Sequence, residues 1–179
     1  MNFDNVSSIN GLENIPSGVV FTNYMFYGFN FKQNDSTLDL TSFNMDNVLS
    51  AEYMFGYMGM NVSNVLLPNN VSSEAATFAD IYNKSEIRYA HMFDNSSSVQ
   101  AISFGDNFGN RDITLNYEAL LYKCDSFKDV DLSTVIGLGS SYNNTDAVFY
   151  GCIGVRTFKV DFDESGKSLS DLGMARYIR

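Results

Sequence analysis

The chain has no tryptophan, two prolines, two cysteines and one histidine among its 179 residues. Two cysteines, Cys124 and Cys152, are too few for a disulfide-stapled scaffold or a four-thiolate zinc site, so a packed core has to carry the stability. Basic side chains are scarce as well: 11 Lys and Arg stand against 21 Asp and Glu, and a net charge of −10 repels nucleic acid and anionic lipid alike. No apolar run approaches the roughly 18 residues of a membrane span, so membrane insertion is not expected. The opening stretch MNFDNVSSIN carries Asp4 and lacks both a basic region and an apolar core, so no export signal is expected either. What is present, 45% apolar and 15% aromatic residues with only 18% charged, is the composition of a chain that folds. Its length predicts one domain.

A repeat runs through it. Tyr24-Met25-Phe26-Tyr27-Gly28, Tyr53-Met54-Phe55-Gly56-Tyr57, Ala90-His91-Met92-Phe93-Asp94, Ala119-Leu120-Leu121-Tyr122-Lys123-Cys124 and Ala147-Val148-Phe149-Tyr150-Gly151-Cys152 share two apolar residues followed by Tyr or a small residue, then Gly or Cys. The second apolar residue serves as anchor: Phe26, Phe55, Phe93, Leu121 and Phe149. Successive anchors lie 29, 38, 28 and 28 residues apart, a period of about 28 with about ten extra residues in the second interval, between Ser72 and Glu86. After each anchor comes an alternating apolar pair: Leu38 and Leu40, Val65 and Leu67, Ile102 and Phe104, Val130 and Leu132, Phe158 and Val160. Alternation with period two predicts a short strand. Segments such as 43–48 and 135–138 fill a helical or irregular return. One such unit cannot bury its apolar face alone, so neighbours are expected to stack with the strands forming a parallel sheet. Gly28, Gly56 and Gly151 are expected to allow the sharp turn after each anchor.

These residues resemble the BspA-like leucine-rich repeats of mycoplasma, Listeria and lactobacillus surface proteins, whose phrase is close to L-D-L-S-x-F-D-T-S-x-V-x-x-M-x-x-M-F-x-G-C. The segments 38–48 and 53–56 follow that phrase, and 130–135 and 149–152 match further parts of it. The resemblance implies a solenoid used for adhesion or protein recognition on an exposed surface, with no catalytic residues to carry over. The expected fold is therefore an α/β repeat solenoid, leucine-rich-repeat-like, with about five units of about 28 residues and a short parallel sheet on one face. The expected organisation is an N-terminal cap over 1–18, repeats over 19–163 and a C-terminal cap over 164–179.

Several motifs carry weaker signals. Asp161-Phe162-Asp163-Glu164-Ser165-Gly166 opens like a calcium loop, but the twelfth position is Leu172, where a bidentate Glu is needed. A polar turn is the expectation there. Gly166-Lys167-Ser168 resembles the end of a phosphate loop, yet Asp161 occupies the place of the required earlier Gly. His91 sits beside an anchor, where packing explains it better than catalysis. Seven N-x-S/T sequons, at Asn5, Asn34, Asn61, Asn70, Asn83, Asn95 and Asn143, follow from an Asn- and Ser-rich composition. Cys124 and Cys152 each follow an anchor by three residues and are expected to stack in the interior, with a disulfide as the alternative if the coils approach within about 7 Å there.

No acid, base, nucleophile or metal-ligand set converges, so the reading is a non-catalytic module for protein recognition or adhesion, with no cofactor or metal. Its candidate contact residues are the outward strand positions Asp39, Ser103, Asp131 and Lys159, with Asp35, Asp106 and Asp129 in flanking turns, and the inserted Phe78, Ile81 and Tyr82. The expected partner is another protein, on a host surface or in a virion, in an oligomer or larger assembly. The alternative is a structural virion component such as a capsid decoration, fibre or tail protein, which needs no export signal.

Overall fold

A computed structural model of the chain describes residues 6–34 and 36–160. The caps expected at 1–18 and 164–179 fall partly and wholly outside them, as do Asp35 and the 161–166 loop. Nine short strands appear in the described residues, paired in parallel throughout, but not in one sheet. Strands β1 (Ser36–Asp39), β2 (Val62–Leu66) and β5 (Ala101–Ser103) form a three-stranded sheet in the order β1-β2-β5. Strands β3 (Asn70–Val71) and β6 (Asn107–Phe108), β4 (Glu86–Arg88) and β7 (Thr114–Asn116), and β8 (Asp129–Leu132) and β9 (Thr157–Val160) make three separate pairs.

This corrects the expected α/β repeat solenoid. Helix and strand do not alternate: the described residues hold one α-helix, α1 (Ala75–Ile81), inside the inserted segment, and a 3₁₀ turn at Leu12–Asn14. The parallel strands occur as small pieces instead of a sheet along one face. The physical reason lies in the return segments. They are rich in Asn, Asp, Ser and Gly, whose side chains compete for the backbone and favour turns, and they lack a sustained 3.6-residue apolar period. The strands are short, two to five residues, because turn-forming Thr41, Pro68, Gly105 and Ser133 follow the apolar pairs.

The anchors form the spine of the core. Phe55, Phe93, Leu121 and Phe149 are completely buried and Phe26 nearly so. Backbone N–H groups of Phe26, Phe55, Phe93 and Leu121 donate to the carbonyls of Met54, Met92, Leu120 and Val148, at 2.8 to 3.0 Å, tying each anchor turn to the next. Inside, the Phe55 ring lies parallel to Phe26 at 5.7 Å and to Phe93 at 4.8 Å.

Each anchor turn has two left-handed residues. Two places before the anchor stand Tyr24, Tyr53, His91, Ala119 and Ala147, with φ between 52° and 58°. Two places after stand Gly28, Tyr57, Asn95, Lys123 and Gly151, with φ from 54° to 80°. Gly28 and Gly151 thus do what was expected of them, whereas in the second turn Tyr57, and not Gly56, takes the left-handed place. Five non-glycine residues in this region before the anchors are a local cost, on the order of 1 kcal/mol each, offset by the ladder and the core.

Candidate functional site

The left-handed turns have a consequence for the surface. A side chain two places before the anchor is turned away from the core, and in the first three turns it is aromatic: Tyr24, Tyr53 and His91. In the last two turns that place is Ala119 and Ala147, and the ring comes instead from the residue after the anchor, Tyr122 and Tyr150. The result is a continuous row. Tyr24 stacks on Tyr53 at 5.2 Å, Tyr53 on His91 at 4.7 Å, His91 meets Tyr122 at 6.4 Å, and Tyr122 stacks on Tyr150 at 5.2 Å. Tyr27 joins from the side, 5.6 Å from Tyr24 and 5.4 Å from Tyr57. Tyr24 and Tyr57 are more than half exposed, at 57% and 51%, and Tyr27 and Tyr150 are also solvent-facing.

Polar groups hold the row in place. His91 Nδ1 lies 2.9 Å from the Asp94 carboxylate, itself almost buried, and Asn95 Nδ2 donates to the other oxygen. Glu52 accepts from Arg88 at 2.9 Å. Partial burial, then Asp94, neighbouring phenols and Glu52, hold the Tyr53 hydroxyl above its ordinary range; burial, Tyr57 and Asp94 do the same for Tyr27. These phenols stay protonated at neutral pH and can donate hydrogen bonds. Lys123 Nζ sits 5.1 Å over the Tyr122 ring.

The residues singled out from the sequence occupy two other places. Asp39, Ser103, Asp131 and Lys159 are all exposed, as the alternation requires. Asp39 and Ser103 share one sheet, each beside Leu66, while Asp131 lies opposite Lys159 in the β8–β9 pair with Nζ and Oδ2 3.5 Å apart. That ion pair is open to solvent and contributes little. Asp39 and Asp131 have local duties: each Oδ1 accepts from the backbone N–H and hydroxyl two residues on, in Thr41 and Ser133. Those bonds hold both carboxyls below the usual carboxylate range. Asp129 accepts from Thr157 Oγ1. In the insertion, Ile81 and Tyr82 are exposed at the end of α1, and Tyr82 meets exposed Phe21 edge-on at 5.5 Å, whereas Phe78 is partly buried against the core.

Cys124 and Cys152 are free and buried. Their thiols donate to the carbonyls of Phe93, at 3.1 Å, and Leu121, at 2.8 Å, just as Ser96 Oγ donates to that of Phe55 at 2.5 Å. Burial pushes the Cys124 thiol well up and Cys152 up to about 12. Among the described residues no group of three His, Cys, Asp or Glu side chains is arranged to hold a metal ion, and no helix is long and apolar enough to cross a membrane.

The aromatic row escaped the sequence reading, although its signal was in the repeat: Tyr or His recurs two before or one after an anchor. The Tyr rings carried no surface role in that reading because the left-handed turn that expels them has no marker residue such as Gly. Comparison of the chain with protein-family models, with curated proteins and with solved structures gave no match.

Proposed function

We propose that the chain is a non-catalytic module for recognition of, or adhesion to, another protein, and that the aromatic row is its contact face. The observation that carries this reading is the run of ring contacts from Tyr24 to Tyr150, stacked except for the tilted His91–Tyr122 step, with Tyr24 and Tyr150 exposed at its ends and Tyr53, His91 and Tyr122 partly exposed between them. Tyr supplies large contact area at low entropic cost and keeps a hydroxyl for hydrogen bonding, which is why it concentrates in recognition surfaces. Stacking fixes each ring before a partner arrives, so little order is left to impose on binding. The adhesion-repeat phrase at 38–48 points the same way.

The test is a paired capture. Immobilised full chain and its Tyr24→Ser/Tyr57→Ser/Tyr150→Ser variant are exposed to the same surface-protein extract, and retained proteins are quantified. The reading predicts proteins held by the unmodified chain and released by the variant. Identical retention by both would overturn it.

A further inference from the structure

Away from the aromatic row, the loops that follow β5 and β8 enclose a groove of about 580 Å³. That volume lies inside the roughly 300–1,000 Å³ of small-ligand sites. Its walls are polar and carry both signs of charge: Asp106 and Asp112 with Arg111 between them in sequence, and Tyr142 on the facing loop.

The groove is built on fixed supports. Asn143 spans its base, accepting from Leu115 N at 2.9 Å through Oδ1 and donating to the Gly137 carbonyl at 2.8 Å through Nδ2. Gly137 has φ +68°, and a Cβ there would meet Asn143 Nδ2 at 2.5 Å. Buried Asn110 holds the other wall: its amide donates to the Ser72 and Ser73 carbonyls, and its oxygen accepts from Asp112 N at 2.8 Å. With the supports so engaged, the outer side chains are left over. Arg111 forms no ion pair with a described residue, although Asp106 and Asp112 line the same groove. Tyr142 is 85% exposed, the most exposed large apolar side chain among the described residues, and its ring rests on none of the described aromatics.

The lining selects a ligand class. Two carboxylates repel an anion, and Arg111 beside them opposes a simple cation. Charged and polar side chains outnumber Ile113, Val135 and Ile136 in the lining, which disfavours a lipid. Planar acceptors and donors of both kinds, in a shallow rigid groove with a free aromatic face, suit an uncharged molecule dense in hydroxyls. Carboxylates accept from neighbouring hydroxyls, guanidinium donates to ring and hydroxyl oxygens, and the tyrosine ring covers an apolar C–H face. We infer that this groove binds a neutral saccharide, with Asp106, Arg111 and Asp112 making the hydrogen bonds and Tyr142 the stacking platform.

Saturation-transfer NMR of the full chain with cellobiose, maltose, lactose and N,N′-diacetylchitobiose tests this, with Asp112→Ala and Tyr142→Ala as variants. Both side chains are exposed, so the variants keep the fold, which their melting temperatures verify. The expected result is saturation of at least one disaccharide by the unmodified chain, with affinity falling about tenfold or more in each variant. The methyl glycoside of that sugar separates sources: retained binding indicates a ring within a glycan chain, lost binding a free reducing sugar, and both support the site. Saturation of none of the four, or unchanged affinity in both variants, would overturn it. Because the groove contains no residue of the aromatic row, Tyr24→Ser/Tyr57→Ser/Tyr150→Ser leaves saccharide binding unchanged.

Discussion

Phe55→Ala is the most demanding perturbation of the fold described here. The Phe55 side chain has no exposed surface and is sandwiched between Phe26 at 5.7 Å and Phe93 at 4.8 Å. Its backbone is fixed on both sides, N–H to the Met92 carbonyl and C=O from Ser96 Oγ, so the turn cannot collapse into the space a truncation leaves. Burial and cavity terms for a Phe truncated to Ala amount to about 3–5 kcal/mol, and losing two stacked neighbours places this site toward the upper end. Against a total of about 5–15 kcal/mol for a domain, that removes a large fraction of the stability. Urea unfolding followed by tyrosine emission, which no tryptophan obscures, and by far-ultraviolet circular dichroism reads the loss directly. Tyr57→Ala, at an exposed ring, serves as the internal control and should cost less than about 1 kcal/mol. A loss below about 1 kcal/mol for Phe55→Ala at unchanged m-value would refute the placement of the anchors at the centre of the core.

Further expectations concern the buried polar groups and the turns. The Tyr89 hydroxyl is fully buried and has no hydrogen-bonding partner among the described residues; burial raises its pKa, an effect that nearby Ser72 tempers slightly while giving its own hydroxyl to the Val48 carbonyl. Tyr89→Phe keeps the ring on Phe108 and Tyr117 and should be neutral or stabilising, whereas Tyr117→Phe, which abandons a 2.7 Å bond to the Ile136 carbonyl, should cost about 1 kcal/mol; chemical denaturation of the pair decides. Ala147 sits at φ 56°, so Ala147→Gly should gain up to about 1 kcal/mol in melting experiments, where a clear loss would contradict the left-handed turn. The two thiols are held protonated by burial, above their ordinary value of 9.0, so the folded state keeps protons that the unfolded state releases. Their contribution is complete below pH about 9 and is lost as pH rises towards 12, at up to about 1.4 kcal/mol per pH unit per thiol. Cys124→Ser/Cys152→Ser, which preserves a donor to each carbonyl as Ser96 does, should flatten the fall in urea midpoint between pH about 9 and 10.

Much of this was visible in the chain itself, and the failures have physical causes. The anchors at Phe26, Phe55, Phe93, Leu121 and Phe149 and the strand pairs at Leu38 and Leu40 or Val130 and Leu132 announce themselves through burial, since apolar residues in fixed phase have one place to go. The α/β architecture did not follow, because strand pairs and anchors constrain the core and say little about the returns between them. There Asn44, Asp46, Gly137 and Asn143 make turns with their own side chains or backbone, through bonds such as Asp46 N to Asn44 Oδ1. Asp39 and Asp131 were legible as exposed but not as acceptors for the turns at Thr41 and Ser133. The aromatic row was invisible for a different reason: Tyr24, Tyr53, His91, Ala119 and Ala147 adopt left-handed backbone without being glycine, so only their shared phase betrays the turn that exposes them. The groove near Tyr142 joins loops distant in sequence and leaves no local pattern.

The claim that the aromatic row is the contact face is tested most directly by tyrosine nitration mapped by mass spectrometry, on the free chain and on its complex with a protein retained in the paired capture. In the free chain Tyr24, Tyr57, Tyr142 and Tyr150 should react while buried Tyr89 and Tyr117 are spared. In the complex, Tyr24, Tyr57 and Tyr150 should be protected together while Tyr142 stays reactive. Protection of Tyr142 or Tyr82, with Tyr24, Tyr57 and Tyr150 still reactive, would contradict the account and move the contact face to another part of the surface.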